Sequence, residues 1–315
     1  MKTTVVICSV NRPTILHATV VGLIKQTVQP DSILLSLCDE SSVVSETKAV
    51  PGVRCIFGAK GLTVQRNTAI PLVPTPYTLY LDDDVELAPD YIEQMERVFS
   101  EDPAISAAMG RVVADGARGG QGIEREVAIQ AVLESTGIPA CPLAKIKEFY
   151  GCNMFVRTDV LRAEMFDERL PLYGWLEDRD FLWRCMKHGK IVRNQGALVA
   201  HLGTRTGRTS DIRYGYSKIA NPWYLWKKSV ITSLPEVVVR YWIKTTFANS
   251  VRAIFQKPSR RADYRKRLAG NFMAYRDLLL SRIDPLNILN IPDSTGTAEM
   301  AQRGEAWRSL PTRSA

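Results

Sequence analysis

The chain has 315 residues, of which 45% are hydrophobic and 23% charged, and a formal net charge of +8. That suits one large globular domain with an appendage, and no apolar run approaches the roughly 20 residues that cross a bilayer. Residues 1–202 hold 21 Lys and Arg against 25 acids, whereas residues 203–315 hold 20 against 8. The basic C-terminal part therefore predicts a contact with phosphate, nucleic acid or an anionic membrane surface.

A strand pattern starts at Thr3 and runs to Cys8, so no secretory leader is expected. Asn11-Arg12-Pro13 is a turn, and Leu16, Val20, Leu23 and Ile24 then recur at helical spacing. Ile33–Leu37 and Val53–Phe57 read as further strands, the first ending at Cys38-Asp39. A short helix carries Gln65-Arg66-Asn67. Tyr77–Leu81 is the next strand, followed by a helix from Pro89 to Phe99 and a strand over Ile105–Met109. This alternation with near-continuous apolar strands predicts a parallel sheet covered on both faces. Ligands bind such sheets at the carboxyl ends of strands, where Ser9–Arg12, Asp39 and Asp82–Asp84 fall.

Asp82-Asp83-Asp84 has two readings. Three acids at a strand end form a solvated acidic turn, with Glu86 and Asp90 favouring the next helix N-terminus. Alternatively, they bind a hard divalent cation through oxygen.

Residues 114–147 are irregular and glycine-rich, consistent with a lid or an acceptor-side insertion. Regularity returns at Tyr150–Arg157, a strand capped into a helix by Thr158. Leu172–Phe181 contains a break at Gly174 and a helix starting at Glu177-Asp178, where acids complement the dipole or face a pocket. His201 ends the apolar segment Ala197–Leu202. Gly203–Arg213, with Arg205, Arg208 and Arg213, reads as a flexible basic loop that either wraps a polyphosphate or is merely solvated. From Asn221-Pro222 the chain turns aromatic and basic. Its helices either pack on the main domain or lie on anionic lipid. Six cysteines without CxxC spacing read as reduced thiols of a cytosolic protein.

The order and spacing of these landmarks resemble the family 2 glycosyltransferases over roughly residues 3–228. The matching stretches are Val5–Pro13, Leu23–Pro30, Gly61–Asn67, Asp82–Asp84 as the DxD motif, and Gly174-Trp-Leu-Glu-Asp178. The resemblance implies an α/β, GT-A (Rossmann-like) fold: a mixed, mostly parallel sheet flanked by helices, with a C-terminal helical extension. It makes residues 1–220 a nucleotide-sugar-binding catalytic domain; composition adds a basic, aromatic helical extension over 221–290 and a Ser/Thr/Gly/Ala-rich disordered tail over 291–315. Carried over, Ser9, Asn11 and Arg12 line the nucleotide site, Asp39 contacts the base, Arg66 approaches the nucleotide and Asp83 the ribose. Asp84 binds Mn²⁺ or Mg²⁺, supported by Asp82 and completed by His201, with Arg208 near the diphosphate. Asp178 is the general base, and Trp175 and Glu177 shape the acceptor site. Val10 departs from the pattern, standing where many relatives have an aromatic residue against the base.

The implied activity is an inverting, metal-dependent transfer of a sugar from a nucleotide-diphosphate sugar, UDP-type, to a carbohydrate or lipid-linked saccharide acceptor. It belongs to polysaccharide or glycolipid biosynthesis, in the cytoplasm or peripheral on the inner face of the membrane, with no nucleic-acid partner. One alternative is a metal-dependent sugar nucleotidyltransferase, which needs a glycine-rich loop after the first strand; Cys8–Pro13 has no glycine. Another is a non-catalytic protein binding through its basic part, which has no use for acids at three strand ends. P-loop, HExxH and GxSxG motifs are missing from the sequence.

Overall fold

The computed structural model describes residues 1–119, 122–136, 143–146, 150–204, 209–255 and 262–292. The chain forms two compact units, Met1–Glu168 with Leu176–Arg208, and Arg169–Trp175 with Thr209–Ala315. The expected tail over 291–315 lies, from residue 293 on, outside the described residues.

Among the described residues, the first unit is built on one mixed sheet of nine strands: β1 Thr3–Ser9, β2 Ser32–Leu37, β3 Val53–Phe57, β4 Tyr77–Asp82, β5 Val85–Leu87, β6 Ile105–Asp115, β7 Leu143–Lys145, β8 Asn153–Arg157 and β9 Lys190–His201. Their order is β3-β2-β1-β4-β8-β6-β9-β5, with β7 on β9. β3, β2, β1 and β4 are parallel to one another, as the apolar alternation requires. Successive side chains point to opposite faces. Val5 and Ile7 therefore join Leu16, Val20 and Phe155 on one side, while Val6 joins Tyr80, Met154, Phe166 and Phe181 on the other. Each such burial contributes about 1.5–3 kcal/mol.

Beyond β4 the sheet changes character. β8 runs antiparallel to both β4 and β6, and β9 lies parallel to β6. The β6–β9 register jumps between Gly110 and Arg111, where β9 skips from Asn194 to Leu198. An irregularity of this kind bends the strands. Gly110 permits it, because a Cβ there would come within 2.5 Å of the Ala197 carbonyl. After the bend the end of β9 pairs with β5, placing His201 opposite Val85. Topology thus brings His201 to the turn that follows β4.

The second unit is helical. Helix Asp211–Lys227 packs with helix Tyr264–Leu279, and a long helix over 234–254 contains a π-helical stretch, Val237–Ile243. Leu172, Tyr216, Ile219, Ala274, Ile288 and Ile291 form its core. Gly215 and Gly270 let the first two helices meet backbone to backbone, and Asn271 donates to the Gly215 carbonyl at 2.7 Å. The helix Asp211–Lys227 also corrects one sequence expectation, the loop reading of Arg213. It continues through Pro222, which is buried and which only deprives the Lys218 carbonyl of a donor. Arg213 is no loop residue: it is buried inside the helix and donates to the Ile291 carbonyl at 2.8 Å. No helix among the described residues is long and apolar enough to cross a membrane.

Candidate active site

The site lies where β1, β2 and β4 end. Gln65, in the helix Leu62–Ala69, donates to the carbonyls of Ser36 (2.7 Å) and Ser9 (3.3 Å), fixing that helix against two strand ends. At the end of β2, Asp39 caps a short turn by accepting from the Ser41 amide and hydroxyl. Those bonds, the hydroxyl first, hold its carboxyl below the usual range. Ser42 in the same turn accepts the Asn11 amide at 3.1 Å, and Asn11 has a left-handed φ of 55°. Asn11 thereby turns the chain out of β1 toward Asp39.

The three aspartates occupy different environments. Asp83 is buried, and both its oxygens are engaged: Ser9 Oγ donates at 2.5 Å and Arg12 Nη1 at 2.6 Å. Burial pushes its carboxyl up to about 6 against the opposing charge of Arg12. Asp84 is also buried. It accepts the Thr204 amide at 2.6 Å, lies 3.2 Å from His201 Nε2 and 3.8 Å from Arg12 Nη1. Burial would raise its carboxyl, but the hydrogen bond to His201, the charges of His201 and Arg12, and the Thr204 amide together hold it low. Asp82 is partly exposed and lies 3.5 Å from His201 Nε2.

His201 has a second set of partners. Its Nδ1 lies 2.6 Å from the Tyr150 hydroxyl and 3.1 Å from Asp115 Oδ1, and Tyr150 donates to the same Asp115 oxygen at 3.1 Å. Burial would lower the imidazole pKa, yet hydrogen bonds to Asp115 and Asp84 push it up to about 10. Asp115 and Tyr150 were not anticipated from sequence. The available signal was the length of β6: carried to its end, that strand also delivers a carboxylate to its carboxyl terminus.

Asp82, Asp84 and His201 each offer one ligand atom, all within 4.8 Å of one another. Carboxylate oxygens and an imidazole suit Mn²⁺ or Mg²⁺, the imidazole favouring Mn²⁺. The residues fit such an ion for a further reason. The contacts of Nδ1 with Asp115 and Tyr150 aim Nε2 at the two aspartates, as the outer contacts of a ligating histidine do.

On the other side of Asp82 lies Arg66, fully buried. Its guanidinium contacts Glu177 at 2.8 Å, the Gly151 carbonyl at 3.2 Å and Asp82 at 3.8 Å, and sits 4.9 Å from the Phe166 ring centre. Burial raises the Glu177 carboxyl; Arg66 opposes this and Asp178 adds to it. Asp178 sits in the first turn of the helix Glu177–Cys185, entered through Leu176 with a left-handed φ of 70°. Its oxygens accept the Gly151 amide at 2.8 Å and the Arg179 amide at 2.7 Å, while burial raises its carboxyl. Gly151 is coupled to the aspartate run, because its neighbour Cys152 accepts the Asp82 amide at 3.1 Å. Asp180 instead pairs with Arg184 at 2.9 Å and serves the helix.

Trp175 belongs to the second unit. There its carbonyl accepts Asn221 Nδ2 at 2.8 Å, and the Lys218 ammonium lies 3.5 Å from its ring centre. Arg208 lies outside the described residues. Of the expected site residues in the first unit, Ser9, Arg12, Arg66, Asp82, Asp83, Asp84, Glu177, Asp178 and His201 thus form one connected network, with Asn11 and Asp39 on its β2 side.

The profile of glycosyl transferase family 2 matches residues 4–164. No curated protein matches the sequence. Among solved structures, S. aureus TarS 1–349 is 13% identical with a TM-score of 0.52, covering 90% of this chain and 83% of that one. A longer S. aureus TarS chain is also 13% identical, with a TM-score of 0.46 over 82% of this chain, which spans only 44% of that protein. The TarS 1–349 likeness is one of fold, a GT-A-type mixed sheet with helices at the C-terminal side.

Proposed function

The chain belongs to glycosyl transferase family 2, and on that premise we propose that it transfers a sugar from a nucleotide-diphosphate sugar to an acceptor hydroxyl with inversion. The observation that carries the reading is the convergence of Asp82, Asp84 and His201 at the end of β4, with Asp178 coupled to them through Gly151 and Cys152. A Mn²⁺ or Mg²⁺ ion bound by Asp84, Asp82 and His201 would supply positive charge to the diphosphate leaving group. Asp178 takes the proton of the acceptor hydroxyl as that oxygen attacks the anomeric carbon and the nucleoside diphosphate departs from the opposite face. Its two backbone donors hold the carboxylate in place, and its raised pKa makes it a better base than an exposed aspartate. Arg66 holds Glu177 and the Gly151 carbonyl, and so sets the entry to the Asp178 helix.

Asp39, with Asn11 and Ser42 beside it, is assigned to the base and ribose side of the donor, for which a UDP sugar is the first candidate. Asp83, with both oxygens taken, anchors Ser9 and Arg12 around the same pocket. The acceptor is a saccharide, free or lipid-linked, in polysaccharide or glycolipid assembly on the inner face of a membrane. Asp178→Asn tests the base. It should cut sugar transfer from a UDP-sugar panel by about 100-fold or more while UDP binding persists. Transfer near the wild-type rate would overturn the assignment.

A further inference from the structure

The long helix of the second unit turns one apolar line outward. Val239, Ile243, Phe247, Val251 and Ile254 follow one another at steps of three or four residues, and each is exposed. The opposite face, with Val237, Tyr241, Asn249 and Ala253, is buried. Exposure along the line is large: 69% at Phe247, 74% at Ile254 and 71% at the adjacent Phe255. The companion helix adds Phe272 and Leu279, at 58% and 84%. Soluble surfaces rarely align so many large apolar side chains without a partner.

Charge narrows the choice of partner. Residues 234–282 hold eleven Lys and Arg against three acids, a net of +8. All three acids are engaged locally: Glu236 lies 3.8 Å from Arg240, Asp263 caps its helix, and Asp277 accepts the Tyr216 hydroxyl at 2.9 Å. Lys244, Arg252, Arg265, Lys266 and Arg276 are all exposed on the two helices. An apolar stripe edged by Lys and Arg matches the acyl–headgroup boundary of an anionic leaflet. A second copy of this chain would bring the same positive charge against itself, which disfavours self-association through this face.

We propose that the exposed face of residues 239–255, with Phe272 and Leu279, docks on an anionic lipid surface as an interfacial helix. This deepens the reading of a lipid-linked acceptor, but it stands on the helix alone. The test is co-sedimentation of the full chain with vesicles of phosphatidylcholine, pure or containing about one third phosphatidylglycerol, without nucleotide. Binding should require the anionic lipid and weaken with salt. Phe247→Ser with Ile254→Ser should lower partitioning at least about tenfold. Lys244→Glu with Lys266→Glu should lower it by a similar factor, and both variants should melt as the wild type does. Absence of vesicle binding, or binding unchanged in the variants, would overturn the proposal. So would a dimer in sedimentation velocity that the serine variant dissociates without any vesicle binding. Loss of sugar transfer with intact vesicle binding would instead count against the catalytic reading.

Discussion

Arg66 is the residue on which packing and chemistry meet. Arg66→Met keeps much of the aliphatic stem but removes the guanidinium, which lies over the Phe166 and Tyr80 rings. It leaves Glu177, itself buried, without the cation 2.8 Å away, and leaves the Gly151 carbonyl without its 3.2 Å donor. Breaking one side of a buried ion pair costs about 3–5 kcal/mol. The cost should depend on pH in a definite direction. The Glu177 pKa is already raised by burial, and without Arg66 it rises further. The unfolded chain ionises Glu177 freely while the folded variant must keep it protonated. Up to the wild-type folded pKa of about 8 both folded proteins keep Glu177 protonated and share this penalty; above it only the wild type ionises, so the variant's extra loss grows at about 1.4 kcal/mol per pH unit until its own folded pKa is reached. Urea unfolding of wild type and variant, near pH 7 and near pH 9, measures this directly. Arg66→Met with Glu177→Leu should recover most of the loss, because no charge is then stranded. A single variant within about 1 kcal/mol of wild type at both pH values would refute the reasoning, as would a double variant no better than the single.

Three further outcomes follow from the network. Asp115→Asn removes the charge that orients His201 and should weaken Mn²⁺ binding about 10–100-fold, read by calorimetry; an unchanged affinity would leave His201 outside the metal site. Lys218 is held by aromatic faces, and burial first, then Arg267, Arg240 and Arg252, lower its pKa to about 7. The folded state thus penalises its charge, an effect full below the folded pKa and fading as pH rises toward the unfolded one. Lys218→Met should therefore raise the melting temperature more at about pH 6 than at about pH 9, and an equal rise would contradict it. Asp178→Asn, as above, separates base catalysis from donor binding.

The first half of the fold is legible in the sequence because β1, β2 and β4 are buried on both faces and so carry apolar residues at most positions, with small Thr and Ser between them. The carboxylates that follow them stand out for the same reason. The later strands are harder. β9 opens as Lys190-Ile-Val-Arg-Asn-Gln, polar enough to pass for a loop, because its first half pairs with the short β7 and only its end is fully buried. β6 continues beyond Met109 into partly exposed residues, which hid Asp115. The meeting of His201 with Asp82 and Asp84 depends on the bend at Gly110, which no local pattern announces. Thr204 acts through its amide, so its side chain carried no signal.

The claim at the centre is that Asp84 helps a divalent ion to hold a nucleotide diphosphate beside Asp178. Calorimetry of UDP binding, with and without Mn²⁺, in wild type and Asp84→Ala, tests it most directly. The account predicts binding that depends on Mn²⁺ in the wild type and is lost in Asp84→Ala. UDP bound equally well without the ion, or by Asp84→Ala as by the wild type, would contradict it.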